Sequence, residues 1–77
     1  MKNQRFTAVL HKEDDWYVSL CPELDIASQG PSIEESLANL KEAVELFLSV
    51  ASTGEISGKL HGNTFVTQFE AKYAKAG

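Results

Sequence analysis

The chain has 77 residues, 43 % of them apolar, and a formal net charge of −4 at neutral pH. This length has room for a single domain, and the apolar content is high enough for a folded core, which argues against a disordered chain. Arg5 is the only arginine. Because arginine supplies most bidentate phosphate and base contacts, the composition argues against a nucleic-acid-binding surface.

Cysteine content and hydropathy bear on the compartment. Cys21 is a single cysteine and cannot close an intramolecular disulfide, which favours a reducing environment. No apolar run approaches the ~20 residues that a membrane-spanning helix needs, and residues 1–6 are not followed by the apolar segment of a secretory signal. The sequence therefore predicts a cytoplasmic protein that does not enter a membrane.

Three strands are predicted in the first 30 residues. Residues 5–11 and residues 16–21 alternate apolar and polar side chains, which is the period of a half-buried strand. The polar residues 12–15 between them have hairpin length, so the two strands should pair antiparallel. A turn led by Pro22 precedes a short third strand, residues 26–29, which can return beside the second.

A capped helix is predicted from Ile33 to about Ser52. Ser32 and Glu35 form the S-x-x-E capping box that satisfies free backbone N–H groups at a helix start. The apolar residues then recur at the spacing of one buried stripe, and they are Ile33, Leu37, Leu40, Val44, Phe47, Leu48 and Ala51. Gly54 is a natural stop signal for this helix.

A last strand is predicted at residues 64–70, where the alternation returns, and the small polar residues 71–77 should form a frayed tail. The predicted order is β-β-β-α-β. The sequence thus predicts one α+β domain over residues 1–77, with its core in residues 5–70 and one helix on one face of an antiparallel sheet.

No catalytic or metal site is predicted. A two-metal nuclease needs carboxylates that converge from the centre of a sheet, but the first strand has none and the last has only Glu70 at its end. Cys21 could pair with His11 or His61 as a thiol–imidazole couple, yet nothing in the spacing supports it. Since the chain also lacks C-x-x-C and H-x-x-x-H patterns, we expect no enzyme, no cofactor and no metal.

Three short motifs follow one another in the middle of the chain. They are Pro22-Glu23-Leu24, Ser28-Gln29-Gly30 and Ser32-Ile33-Glu34-Glu35-Ser36-Leu37-Ala38-Asn39. In order and spacing they resemble the HicB family, the antitoxin halves of HicA–HicB toxin–antitoxin pairs. The resemblance extends over residues 5–70.

The resemblance implies a fold and a function. HicB proteins have a partial RNase H-like fold in which the last strand lies beside the first and parallel to it, in the sheet order 3-2-1-4. Such a protein would bind a small, basic, mRNA-cleaving HicA-type toxin and neutralise it by covering its active site. Many HicB proteins also carry a C-terminal DNA-binding domain, but the residues after Ala51 are too few for one. Direct DNA binding is therefore not expected.

Six surface residues are the candidates for contact with this partner. Tyr17 is the expected exposed aromatic, because it lies on the opposite face of its strand from Trp16. With Glu23 and Asp25 it is expected around the proline loop. The other three, Glu34, Glu42 and Glu45, are expected on the outer surface of the helix. An ordinary solvated surface would show the same residue types.

Two further expectations concern assembly and an alternative function. A small core and a sheet with exposed edges favour a homodimer or a larger homo-oligomer, to which Phe65 and Val66 of the last strand would contribute. The alternative to an antitoxin is a solitary HicB-like module for oligomerisation or for binding a small ligand. Asp25-Ile26-Ala27, which stands where many HicB proteins have a Gly-Cys-containing turn, leaves this alternative open.

Overall fold

A computed structural model describes residues 4–60 and 62–74. Three strands, β1 (Val9–Glu13), β2 (Trp16–Cys21) and β3 (Ile26–Gly30), are followed by two helices, α1 (Ile33–Val50) and α2 (Thr53–Lys59). The strands form an antiparallel sheet in the order β1-β2-β3. Helix α1 packs on one face of it, mainly against β3 and β2. The predicted α+β class and the β-β-β-α order of the first four elements are confirmed.

Both connections within the sheet use an aspartate with a left-handed backbone. Glu13 pairs with Trp16, so only Asp14 and Asp15 lie in the first turn, and Asp14 has a φ of 53°. Asp25, directly before β3, has a φ of 56°. Aspartate tolerates this region better than most residues. The predicted connection at residues 12–15 is thus two residues shorter in the structure.

Strand β1 begins at Val9, later than the predicted residue 5. The register pairs Val9 with Leu20, so continuing the ladder backwards would place Thr7 opposite Pro22. Proline has no N–H to donate, and pairing stops there. The backbone N–H of Thr7 donates instead to both carboxylate oxygens of Glu23, at 3.1 Å each. The Glu23 side chain therefore fixes the backbone at Thr7, where the sequence pattern predicted hydrogen bonds between two strands.

Helix α1 lies close to the sheet at its first turn. Its N-cap Ser32 accepts a hydrogen bond from the Glu35 N–H at 3.1 Å, as predicted. One turn further, the Ser36 hydroxyl donates to the Ser19 hydroxyl at 2.9 Å, and the Ser19 hydroxyl donates to the Ser36 carbonyl at 3.1 Å. Both serines are fully buried. A Cβ on Gly30 would lie 2.7 Å from the Ser36 backbone nitrogen, so only glycine fits there.

The apolar core lies below this contact, between α1 and the β2–β3 turn. Its buried members are Cys21, Leu24, Leu40 and Val44. Phe6, Ala8, Ile26, Phe47, Leu48 and Leu60 pack around them, partly buried. The predicted stripe of α1 is therefore right in its middle, whereas Ile33 and Leu37 at its start remain exposed.

The chain after α1 differs from the prediction in two ways. Helix α1 ends at Val50, and a second helix, α2, begins after Ser52. Ser52 and Glu55 make a complete capping box, in which each side chain accepts a backbone N–H of the other residue, at 3.1 and 3.0 Å. Gly54 lies inside α2 and is not a stop signal. The same S-x-x-E pattern that located α1 was present at residues 52–55.

The second and larger difference is that the predicted fourth strand, residues 64–70, is not formed. Residues 63–73 have no strand assignment, and every one of them is exposed. The sheet of the described chain therefore has three strands, and the 3-2-1-4 order of the HicB resemblance is not formed within it. Part of the predicted frayed tail, residues 75–77, lies outside the described residues. Among those described, no helix is long and apolar enough to cross a membrane.

The close contact at Gly30 yields a stability prediction. Gly30→Ala should lower the free energy of unfolding by about 1–3 kcal/mol, because the new methyl group meets helix backbone that cannot rotate away. For a domain of this size the melting temperature should fall by at least about 5 °C in thermal denaturation followed by circular dichroism.

Gly58→Ala is the matched control. A Cβ at Gly58 meets nothing within 4 Å, and alanine favours a helix interior, so this variant should melt at the parent temperature or above it. Equal melting temperatures for the two variants would contradict the packing described at Gly30.

Candidate functional site

The outer surface of α1 carries three of the six candidate residues. Glu34, Glu42 and Glu45 are all exposed, and at ~100° per residue they fall within about 80° of one another around the helix axis. They lie outside the side of the helix that carries the core residues Leu40 and Val44, and they make no hydrogen bond within the described chain. We call Glu34, Glu42 and Glu45 the acidic stripe. Glu34 also belongs to the first turn, where a carboxylate complements the positive end of the helix.

Glu23, in contrast, is held by contacts within the chain. Besides the two bonds from the Thr7 N–H, the Thr7 hydroxyl donates to Oε2 at 2.6 Å, and the Cys21 thiol lies 3.5 Å from Oε1. Partial burial has the largest single effect and raises the pKa of this carboxyl. The hydrogen bonds from the Thr7 hydroxyl and from the backbone N–H groups of Glu23 and Thr7 together outweigh it, so the pKa lies below its ordinary value.

Asp25 is exposed at the end of the same turn. Its neighbour Leu24 is buried, and the Leu24 carbonyl accepts a hydrogen bond from the Lys59 ammonium of α2 at 3.3 Å. The turn is therefore supported from two sides, by Thr7 through Glu23 and by α2 through Lys59. Asp25 is thus the exposed acidic residue of a turn that is held at both ends.

Tyr17 lies elsewhere and is more covered than predicted. It shares the helix-covered face of β2 with the buried Ser19, and it pairs with Gly30 at the end of the sheet where α1 begins. The Lys12 ammonium lies 6.0 Å from its ring centroid. At ~3.3 Å per residue, Tyr17 is roughly 20 Å along the chain from Glu23. The expected group of Tyr17, Glu23 and Asp25 around the proline loop is thus wrong for Tyr17.

The sheet face opposite α1 carries a group of apolar side chains, which sequence reasoning missed. Register and alternation bring Val9, Trp16, Val18 and Leu20 onto it, and Trp16 is 49 % exposed. We call these four residues the open-face patch. Alternation predicted two faces for each strand but not which one the helix covers. The available signal was the small size of Ser19 and Cys21, which suits a face that a helix approaches closely.

The thiol and imidazole groups do not form a couple in the described chain. Cys21 is fully buried on the helix-covered face, and burial raises the pKa of its thiol. His11 lies on the opposite face, where its Nε2 is 2.8 Å from Glu13. His61 is outside the described residues. Within residues 4–60 and 62–74, no three His, Cys, Asp or Glu side chains are placed to hold a metal ion.

The depressed pKa of Glu23 yields a pH prediction. The folded protein stabilises the ionised carboxyl more than the unfolded chain does. This contribution to stability is therefore complete above the ordinary carboxyl pKa of about 4.3 and is lost as the pH falls through the lower pKa of the folded state. Glu23→Gln should cost about 1–2 kcal/mol at pH 7, and the difference from the parent should shrink below pH 4.

Urea unfolding at pH 7, 5 and 3.5 measures this difference. Glu42→Gln is the matched control, because Glu42 is exposed and accepts no hydrogen bond in the described chain. It should change the free energy of unfolding by less than about 0.5 kcal/mol at pH 7. A Glu23→Gln penalty that stayed constant down to pH 3.5 would contradict the role of the charged carboxylate.

The chain is similar to a known protein over most of its length. A UPF0150 protein of Helicobacter pylori (strain J99) is 35 % identical to this chain over 68 residues, which span 87 % of this chain and 94 % of the relative. No family model matches the chain, and no solved structure matches it. Identity at this level over nearly the whole of both proteins establishes a common family. The chain belongs to the UPF0150 family.

Proposed function

We propose that this protein is a HicB-like antitoxin, which binds a small basic HicA-type mRNA-cleaving toxin and neutralises it by covering its active site. The observation that carries the proposal is the 35 % identity to a UPF0150 protein over most of both chains, since UPF0150 is the HicB-like family. The three HicB-like motifs add to it, because Gly30 and Ser36 from two of them meet in the contact between β3 and α1.

The acidic stripe supports a basic partner. Glu34, Glu42 and Glu45 are exposed and make no hydrogen bond or ion pair within the described chain, so a partner could use them without disturbing the fold. Opposite charges across an interface raise the association rate and select the partner more than they raise affinity. Covering an active site requires such complementarity and no chemistry from the antitoxin itself.

Two finer points belong to the same proposal. A HicB protein has a partial RNase H-like sheet, of which the three antiparallel strands and α1 would be the corresponding part. An mRNA-cleaving partner also implies a cytoplasmic protein. The other three candidates, Tyr17, Glu23 and Asp25, can contact a partner only through the parts of their side chains that solvent reaches. Asp25 is exposed, while Tyr17 and Glu23 are half-buried.

A second candidate function is a solitary HicB-like module that assembles with itself or binds a small ligand. The observation that favours it is the open-face patch, because a domain that leaves Trp16 and its apolar neighbours in water has a surface suited to further burial. The two candidates differ in whether a toxin exists. The genomic neighbourhood therefore separates them.

Co-expression tests the proposal. The small basic protein encoded beside this chain should arrest growth when expressed alone, and this chain should relieve the arrest. Glu42→Lys/Glu45→Lys should weaken binding at least tenfold at low salt and reduce its salt dependence, because two of the three charges on the acidic stripe are reversed. Titration calorimetry at two salt concentrations measures both effects.

Glu13→Lys/Asp15→Lys is the matched control, with the same change in net charge at two exposed positions of the β1–β2 hairpin, outside α1. It should leave binding within about threefold of the parent, the range of ~0.6 kcal/mol. If the parent fails to relieve the arrest, or no such neighbour is encoded, the antitoxin proposal fails. If the stripe variant binds like the control, the antitoxin stands and the acidic stripe is not its contact surface.

A further inference from the structure

The chain after α2 exposes an unusual amount of aromatic surface. Phe65, Phe69 and Tyr73 are 86 %, 87 % and 85 % exposed. The protein has seven aromatic residues, so nearly half of them lie in this segment. Val66 is exposed as well. We call residues 63–73 the arm. Single apolar residues on a surface are ordinary, but four large ones within nine residues are typical of a surface that contacts another molecule.

The arm has the pattern of a strand without the pairing of one. Phe65, Thr67 and Phe69 alternate with Val66, Gln68 and Glu70, as in a strand with two different faces. Its backbone makes no ladder within the described chain. Extended at ~3.3 Å per residue, the arm could reach roughly 36 Å. The segment is therefore long enough to pair with a strand of another molecule.

The sheet offers an edge for such pairing at β1. Helix α1 packs mainly on β3 and β2, and its Asn39 already donates to the Gln29 carbonyl of β3 at 2.8 Å. Strand β1 is the other edge, and of its five residues only Leu10 is not exposed. Unpaired N–H and C=O groups on an edge strand are a template for adding a strand.

The arm starts close to this edge but leaves its own domain. Asn63 and Thr64 line a cleft with residues 4–7, which lead directly into β1. The radius of gyration is nonetheless 15.4 Å, against about 11.5 Å for a compact chain of this length, and the longest dimension is 52 Å. The arm thus begins where it could complete the sheet and then extends away, and no residue of the described chain pairs with the outer edge of β1.

Size and charge favour a second copy of this chain as the occupant. At roughly 200 Å² for each aromatic side chain, one arm exposes about 500 Å² of aromatic surface. Two reciprocal arms reach the ~1,000 Å² that a specific interface requires. The arm contains one acid and one base, Glu70 and Lys72, and β1 contains Glu13 and Lys12. Two copies of net charge −4 can therefore meet at these surfaces without repulsion between them.

We propose that the arm is exchanged between two copies of the protein, each placing residues 63–73 along the β1 edge of the other. The exchange is symmetric, so each copy gives one arm and receives one, and the assembly closes as a dimer. Backbone hydrogen bonds of the arm satisfy the β1 edge, and its aromatic side chains leave water. The proposal does not depend on the antitoxin function.

Sedimentation velocity on the full chain tests the proposal. The parent should be a dimer at micromolar concentration. Phe65→Ser/Phe69→Ser should weaken the dimer at least 100-fold and leave a monomer. Because both rings are exposed within one chain, the variant should keep the circular dichroism spectrum and the secondary structure of the parent. Thr67→Ser/Gln68→Ser is the matched control in the same segment and should remain dimeric.

A crosslinking experiment distinguishes exchange from any other dimer. Size-tagged chains with Thr67→Cys are mixed with untagged chains carrying His11→Cys on β1, and a short bismaleimide is added. Cys21 stays in both, because it is fully buried. Exchange predicts a product that joins a tagged to an untagged chain. A parent that is monomeric at every micromolar concentration, a double serine variant as dimeric as the parent, or the absence of the mixed product would each overturn the proposal.

Discussion

The structure depends on how closely α1 approaches the sheet at Gly30, Ser19 and Ser36. The helix backbone lies where a Cβ on Gly30 would be 2.7 Å from the Ser36 nitrogen. Two buried serines satisfy each other across this contact, which matters because a buried hydroxyl without a partner is costly. The contact sets the rotation of the helix about its axis. Leu40 and Val44 consequently reach Cys21 and Leu24, and the acidic stripe turns to solvent.

Local signals were sufficient to predict the elements that depend on local physics. β2 begins and ends at the predicted residues, β3 differs by one residue, and α1 begins at Ile33 behind its Ser32 cap. Helix α2 could have been predicted too, because Ser52 and Glu55 repeat the capping pattern. Gly54 concealed it, since glycine is a poor helix former and a common stop signal.

Other features could not be predicted because they depend on which surfaces meet. The alternation at residues 64–70 is the same whether the segment joins its own sheet, another chain or none. Likewise, period two assigned Trp16 and Tyr17 to opposite faces but did not show that α1 covers the side of Tyr17. The late start of β1 arises from Pro22, which matters only once the register places it opposite Thr7. For the candidate site, the sequence was sufficient to identify the acidic residues. Only the packed structure shows that Glu23 supports the fold, whereas the acidic stripe is free for a partner.

The burial of Cys21 has a practical consequence for following the motions of this domain. Its sulfur is fully covered, and the raised pKa of the thiol further lowers the fraction of reactive thiolate. A thiol reagent can therefore modify the native protein only through a transient opening that separates α1 from the β2–β3 turn. The labelling rate of this single cysteine reports how often the core opens. No engineered probe is needed for that measurement.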